Sequence, residues 1–489
     1  MRSLNAMPQH PVPRGPNLSR RAASAQSLRQ APRSAPNGVD SRVARRERGR
    51  EEPRANRPRT AVDREVMQRV EHSRLQGLGE RALRSPEGGA LRLQPSGPVI
   101  HEAVQDMTCP PCHWGLCVAT LLLAILSVPL IYSASTAIAL ENHKHADYFL
   151  WRQLQFIVLG LATLWSVSRI PSRQIRNVMW VLYFVVIVGL LATKFTPLGF
   201  SLGGVRRWLK LGPLALQMSE FAKIALIGVL ADFWSRAVHP HHKPVWPWLV
   251  AAGLTLPLVC LVFAQPHLSA TLLLFTLPFC IGFYAAAPWK QMVKIVTPFV
   301  LLGAVTFALC KTHQMPLLKP YQQDRLVAFV SGGGDERGAD YQVLQGQRAL
   351  TRGGLFGSGP GASLFKQGHL PAPHTDFILA VIGEEWGLVG MLTLLLIYGA
   401  MIFFCFQIGH CASTTFEALL CAGVGTLLAI QVTCNAAVVT GMMPVTGMPL
   451  PLLSYGGSGF IATLLGIGLV LNISRQAGCA GESTRMVVR

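Results

Sequence analysis

The chain has 489 residues, half of them hydrophobic and only 14% charged, with a formal net charge of +20. A soluble domain carries about 25% charged residues, and here long apolar runs fill the region from Gly115 to Arg475 while the first hundred residues hold none, so a soluble enzyme is excluded. The basic excess lies in a terminal tail and in loops between apolar runs, which points to a lipid bilayer and away from nucleic acid.

Residues 1 to about 105 are rich in Arg, Pro, Ala and Ser, and before Ile100 they include no Lys, aromatic residue or Cys. Such a segment cannot bury enough apolar surface to offset the entropy of ordering it. Residues 1–108 are therefore expected to form a disordered, Arg-rich cytoplasmic tail. Within it, Val66, Val70 and Leu75 fall on roughly one face of a short amphipathic helix. An electrostatic tether to the membrane is the plain role for the tail, and a docking site for a cytoplasmic partner the sharper one. No apolar stretch follows Met1, so no secretory signal is read there.

Cys109-Pro-Pro-Cys112-His113 matches the C-x-x-C-H spacing of c-type haem attachment. That attachment takes place outside the membrane, whereas loop charges place these residues inside. An unmodified juxtamembrane segment is the preferred reading, ahead of zinc, with haem last. The other cysteines are scattered, mostly through apolar runs, where Cys behaves as a small hydrophobe. No metal is assigned.

A window of about 20 apolar residues drafts spans at 114–135, 150–168, 177–195, 217–235, 247–264, 268–287, 293–311, 375–406, 415–440 and 457–474. The expected fold is an all-α polytopic membrane protein of about ten transmembrane helices, in a domain from 109 to 478 with a short tail from 479 to 489. Arg169, Arg173 and Arg176, then Arg236 and Lys243, then Lys290 and Lys294, and finally Arg475 fall in short loops on one side, the side of the tail. The positive-inside rule makes that side the cytoplasm and puts both termini there. The large loop between the seventh and eighth spans is then extracytoplasmic.

That loop and its exit, Ser331 to Glu385, are polar and glycine-rich between apolar spans. Asp335, Glu336, Asp340 and Asp376 share it with Arg337, Arg348, Arg352, Lys366 and His374. The residues alone rank Asp335, Asp340 and Asp376 about equally as a catalytic acid, against the plain reading of solvated loop carboxylates. Asp376 also stands where it can cap the eighth helix. Earlier in the chain, Glu220 and Lys223 lie three apart on one helix face. An ionisable pair inside a membrane marks function by default, although a salt bridge between packed helices explains it as well. Glu384 and Glu385 read chiefly as a polar network fixing the eighth span against the final ones. Late in the chain, Pro444, Pro449 and Pro451 break any helix between Val439 and Ser458. Non-helical backbone at membrane depth must be buried in protein or line a wet cavity, so this run reads as a re-entrant loop or cavity wall.

Three stretches, RRWLKLGPLALQMSEFAK (206–223), HTDFILAVIGEEWGLVG (374–390) and PVTGMPLPLLSYGGSG (444–459), closely resemble the shape, elongation, division and sporulation family, to which RodA and FtsW belong. The resemblance runs from about His113 to Gln476, with the motifs in the family's order. It implies a ten-span enzyme of the bacterial inner membrane that polymerises lipid II into peptidoglycan glycan strands, beside a class B penicillin-binding protein that cross-links them. It places the catalytic acid shortly before a Gly-x-x-Tyr-Gln stretch, here Gly338 to Gln342, and so on Asp335. It also implies substrate-binding roles for Arg206, Trp208, Lys210, Glu220 and Lys223, for Arg348 and Arg352, for His374 and Asp376, and for Ser454, Gly456 and Gly457. No cofactor is assigned, and a divalent cation stays open. The chain departs from the family pattern at Gln265-Pro266-His267, where a carboxylate usually follows the proline, and at Met218, where proline usually follows the glutamine.

Two other classes compete. Broken helices and intramembrane charges also describe a transporter or a lipid II flippase, although no internal repeat relates the two halves. A non-enzymatic scaffold is the third, against which an intact Asp335 argues. The tail generates a test: a chain starting near Thr108 is expected to insert and to keep the full chain's polymerising activity. Normal folding with lost activity would make the tail more than a tether.

Overall fold

The computed structural model describes residues 113–141, 145–202, 205–212, 214–237, 246–287, 290–298, 301, 339–364 and 374–487. The tail, Cys109, Cys112, Asp335 and Glu336 lie outside the described residues. The helices are α1 (His113–Glu141), α2 (Tyr148–Ser168), α3 (Ser172–Phe195), α4 (Met218–Ala237), α5 (Trp246–Phe263) and α6 (Leu268–Tyr284). After them come α7 (Ala339–Gly353), α8 (Ile378–His410), α9 (Thr415–Val439) and α10 (Gly457–Val487).

Nine of the ten drafted spans coincide with a helix among the described residues, and residues 290–298, also helical, open the tenth. Six of these helices, α1, α3, α5, α8, α9 and α10, are long and apolar enough to cross a membrane. α6, with 17 residues, is shorter. α4 misses that standard because it carries Glu220, Lys223, Asp232 and Arg236, and α2 because Arg152, Gln153 and Gln155 crowd its start. α10 continues past the drafted end of its span to Val487.

α4 is the axis of the bundle. It is buried on nearly every side and packs against α3, α5, α6, α9 and α10. Its apolar residues face protein on all sides, and its buried charges are paired, Glu220 with Lys223 and Asp232 with Arg236. The outer helices instead turn large apolar side chains outward, such as Val181, Val185 and Val188 on α3 and Leu388, Leu392, Leu396 and Phe403 on α8, as lipid-facing surfaces require. A capping box in which Thr414 and Glu417 satisfy each other's backbone N–H starts α9.

The all-α expectation fails between α3 and α4. Residues 199–216 form a three-stranded antiparallel sheet of β1 (Gly199–Leu202), β2 (Val205–Leu211) and β3 (Leu214–Leu216), in the order β1-β2-β3. Gly203-Gly204 and Gly212-Pro213, both turn-forming pairs, separate the strands in sequence. The outer loop also holds structure that its polarity hid. α7 turns Gln345, Gly346, Ala349 and Gly353 inward and Gln347, Arg348, Thr351 and Arg352 outward, and it packs on α8 and α9.

The polar features gather at one end. Arg207 of β2 binds the α5–α6 turn, Gln347 of α7 binds Thr440 after α9, and Tyr455 before α10 binds His374 before α8. At the other end Asp232 takes bonds from Arg236 and Trp180 with Arg176 beside it, and Asn472 caps the carbonyls of Val167 and Ile170. The basic residues Arg169, Arg173, Arg176, Arg236 and Arg475 belong to that second end, opposite α7.

α8 is broken at Gly387, whose backbone (φ 67°, ψ −167°) is not helical. The chain from Gly353 to Gly359 lies against the break. The amides of Ser358 and Gly359 donate to the carbonyls of Glu384 and Glu385 at 2.9 and 3.0 Å. Those of Leu388 and Val389 donate to Gly354 and Leu355 at 3.0 and 3.1 Å. A Cβ on Gly387 would lie 2.4 Å from the Gly357 nitrogen and 2.5 Å from the Leu355 oxygen. Gly387→Ala is therefore expected to lower the thermal midpoint, with the strained φ alone costing about 1–3 kcal/mol. Gly399→Ala on the same helix, where an added Cβ meets nothing within 4 Å, should not. Equal midpoints for the two variants would refute the packing role given to Gly387.

Candidate active site

The run from Thr440 to Gly456 is non-helical and largely buried, with Leu450, Leu452 and Leu453 at most 1% exposed. Its backbone groups need partners in such surroundings, and the turn before α8 supplies several. The Ser454 hydroxyl accepts from the Leu450 amide (2.7 Å) and donates to the Thr375 carbonyl (2.6 Å). The Tyr455 amide donates to the His374 carbonyl (2.8 Å). Asn435 of α9 donates to the carbonyls of Asp376 and Met448 at 2.9 and 2.7 Å, and the Tyr398 hydroxyl of α8 to Pro451. The His374 ring sits 5.0 Å from Phe149 and 5.6 Å from Tyr455, centre to centre.

Beside this junction lies the start of α4. The amide of Gln217 donates to the Ser458 hydroxyl at 2.8 Å, joining α4 to α10. Glu220 and Lys223, 6% and 3% exposed, are bonded at 2.6 Å. The Glu220 carboxylate stands in the first turn of α4, where the helix dipole favours an anion, and it faces Gly459. A small crevice between α4, α9 and α10 is lined by this pair, Gln431, Thr463 and apolar residues such as Val424 and Leu428. His267, at the turn between α5 and α6, sets its Nδ1 3.1 Å from the Ser219 hydroxyl and 3.3 Å from the Gln217 amide nitrogen. Both groups can donate to a neutral ring. Burial lowers the His267 pKa to about 4; Arg207 and Lys223 add to the fall, and Glu220 opposes it. Burial takes His374 to about 4 as well.

The sheet divides its candidates. Ser201 pairs with Arg206 and Phe200 with Trp208, so Arg207 is an extra residue in β2. The bulge shifts the alternation, leaving Trp208 and Lys210 on one face and Arg206 on the other. Arg206 turns back to the carbonyls of Gly199 and Thr196, and Arg207 clamps those of Gln265 and Pro266. On α7, Arg348 is exposed, whereas Arg352 lies 3.4 Å from the Glu384 carboxylate. Asp376 does not cap α8. Phe377 occupies the N-cap with no side-chain bond, and the Asp376 carboxylate turns toward Gly447, whose φ of 71° brings the run close. Gly457 packs so tightly on Phe156 that a Cβ would lie 2.3 Å from its ring, while Gly456 faces open space. Glu384 accepts from the Leu364 amide and Glu385 from Ser133 of α1.

The structure thus joins His374, Asp376 and Ser454 in one cluster and Glu220 with Lys223 in its neighbour, while Arg206, Trp208, Lys210, Arg348 and Arg352 stand on separate elements at the same end. Sequence reading missed Ser458, Asn435 and Tyr398. Asn435, a polar residue deep in an apolar helix, carried a signal that it had a structural or functional partner. Among the described residues no group of three or more His, Cys, Asp and Glu side chains is placed to hold a metal ion.

Residues 114–478 match the model of the FtsW, RodA and SpoVE family, described as cell cycle proteins. A probable peptidoglycan glycosyltransferase FtsW of Trichlorobacter lovleyi is 32% identical over 355 residues, covering 72% of this chain and 90% of that protein. Among solved structures, a chain of a peptidoglycan synthase complex that coordinates polymerization and crosslinking superposes with a TM-score of 0.61 at 31% identity, over 74% of this chain and 98% of its own. The rod shape determining protein RodA of Thermus thermophilus superposes with 0.54 at 27% identity, over 76% and 98%.

The two histidines give a pH dependence. Their folded-state pKa values, about 4, lie below the unfolded value of about 6.5, so the unfolded chain binds the extra protons. Their stabilising contribution is complete above about pH 6.5 and is lost as pH falls toward 4. The thermal midpoint should follow that course, and the His267→Gln, His374→Gln double variant should flatten it. An unchanged slope in the double variant would refute the assignment.

Proposed function

The chain belongs to the FtsW, RodA and SpoVE family of cell cycle proteins and is a multi-pass membrane peptidoglycan glycosyltransferase, and we propose that it polymerises lipid II at the outer face of the bacterial cytoplasmic membrane. In this reading both termini are cytoplasmic and the end that carries the sheet, α7 and the Gly/Pro run faces outward. The observation that carries it is the junction at Tyr455 and Ser458. There the end of the Gly/Pro run meets the turn before α8 and the start of α4, so three stretches far apart in sequence meet at one place.

The reaction joins a sugar hydroxyl to an anomeric carbon whose leaving group is a lipid pyrophosphate. As the new C–O bond forms, the hydroxyl gives its proton to a base and the bond to the pyrophosphate breaks. We assign the base to Asp335, four residues before α7. One base opposite the leaving group inverts the anomeric carbon. Arg206, Lys210 and Arg348, exposed at the same end, supply cations for the pyrophosphate. Arg clamps phosphate through two parallel bonds, while Lys acts as a point charge. Lys223 is neutralised by Glu220 and acts with it as one polar unit in the bundle interior. A class B penicillin-binding protein is the expected partner, supported by the likeness to a chain of a peptidoglycan synthase complex that coordinates polymerization and crosslinking.

Asp335→Asn keeps the side-chain shape and removes the base. It should lower polymerisation of labelled lipid II by at least about 10²-fold, the low end for a general base, with membrane insertion and lipid II binding retained. Normal polymer from Asp335→Asn, with loss in Asp340→Asn or Asp376→Asn, would move the base elsewhere. Translocation of lipid II without polymer would favour a flippase.

A further inference from the structure

The GEE sequence of α8 has a task that the reaction scheme does not assign. Glu384 is fully buried, and Ser363, Leu364 and Arg352, from α7 and the stretch that follows it, reach its carboxylate. The Ser363 hydroxyl, itself fully buried, donates to one carboxylate oxygen. The Leu364 amide donates to the other at 2.9 Å, and Arg352 lies 3.4 Å from that same oxygen. These partners sit on either side of the glycine-rich stretch laid against the Gly387 break. That stretch adds the four backbone bonds described above. It comes so close that a Cβ on Gly353 would lie 1.9 Å from the Gly383 carbonyl and one on Gly357 2.2 Å from that of Glu385. Glu385, the next residue, takes a bond from Ser133 of α1 at 2.7 Å. One acid therefore binds the loop while its neighbour binds a helix.

We propose that Glu384 is a positioning residue for the polymerase reaction: it anchors the end of α7 and the chain to Leu364 on α8, and Arg352 serves this anchor instead of clamping substrate. The positioning role rests on the reading above that the loop leading into α7 carries the catalytic base. α7 runs without interruption from Ala339 to Gly353. An anchor at its far end thus sets where its near end, next to the base, is held. The arrangement also explains why three glycines and a helix break coincide at one place. The break frees the carbonyls of Glu384 and Glu385 for the strap, and the glycines let the two backbones approach.

The test uses the full chain in lipid nanodiscs and the variants Glu384→Gln, Arg352→Gln and the double variant. Two quantities are measured: hydrogen exchange of the amides from 353 to 364, with those of α9 and α10 as internal controls, and steady-state polymerisation of lipid II. Glu384→Gln and Arg352→Gln are each expected to speed exchange in the strap by about tenfold or more, the control helices remaining protected. The double variant should be no worse than Glu384→Gln alone, because the two residues act through one contact. Polymerisation should lose kcat, up to about 10²-fold for a displaced catalytic group, with KM changed by less than about twofold. Unchanged strap exchange in Glu384→Gln would overturn the anchor. A raised KM with normal kcat in Arg352→Gln would return that arginine to the substrate. Faster exchange with unaltered kcat would overturn the positioning role. Absence of polymerisation by the unaltered chain would count against the polymerase reading, and the exchange arm would still decide the anchor.

Discussion

Backbone that leaves the helical path inside an apolar bundle must find its hydrogen bonds in another segment, since neither lipid nor an apolar core offers any. Most of what is distinctive in this molecule answers that demand. The broken α8 and the strap complete each other, amide to carbonyl in both directions. The Gly/Pro run is completed by the turn before α8, through Ser454 and Tyr455, and by Asn435 and Tyr398. Each non-helical piece is held by groups distant in sequence.

The same economy governs the buried charges. Lys223 and Glu220 neutralise each other within one turn of α4, so the bundle interior carries a dipole there and not a net charge. Removing one partner of such a pair costs about 3–5 kcal/mol, whereas the intact pair adds little to stability. His267 extends the cluster as an acceptor. Where the family pattern has a carboxylate after the proline, this chain has a ring that burial keeps neutral. The local charge balance is met by Arg207 and Glu220 on the elements packed against it.

Much of this was legible in the sequence. Hydropathy found the helices because a spanning helix must be apolar for most of its length. It weakened at α4 because burial against protein, instead of lipid, tolerates paired charge. The three motifs, far apart in the chain, meet at one end of the bundle. The sheet was missed because an apolar-span window passes over eighteen residues of turns and short strands, although its glycine pairs were visible. α7 was missed because its buried face is built from Gln345, Gly346 and Ala349, which carry almost no hydrophobic signal. The contact of Arg352 with Glu384 was not legible, because no spacing rule encodes it. Asp376 was read as a cap because it precedes the helix, yet Phe377 takes the N-cap position.

The ionic contacts near both ends of α4 have a mechanical meaning. Glu220 and Lys223 stand near its first turn, and Asp232, held by Arg236 and by Trp180 of α3, near its last. The two carboxylates are separated by about 18 Å along the axis at the usual rise per residue. A piston stroke of one turn, about 5.4 Å, would tear the Trp180 bond at one side of the membrane and the Gln217–Ser458 bond at the other. α4 is in this sense a fixed datum spanning the molecule. Any message passed from a partner to the catalytic end has to be carried around it, by tilting or rotation of the peripheral helices.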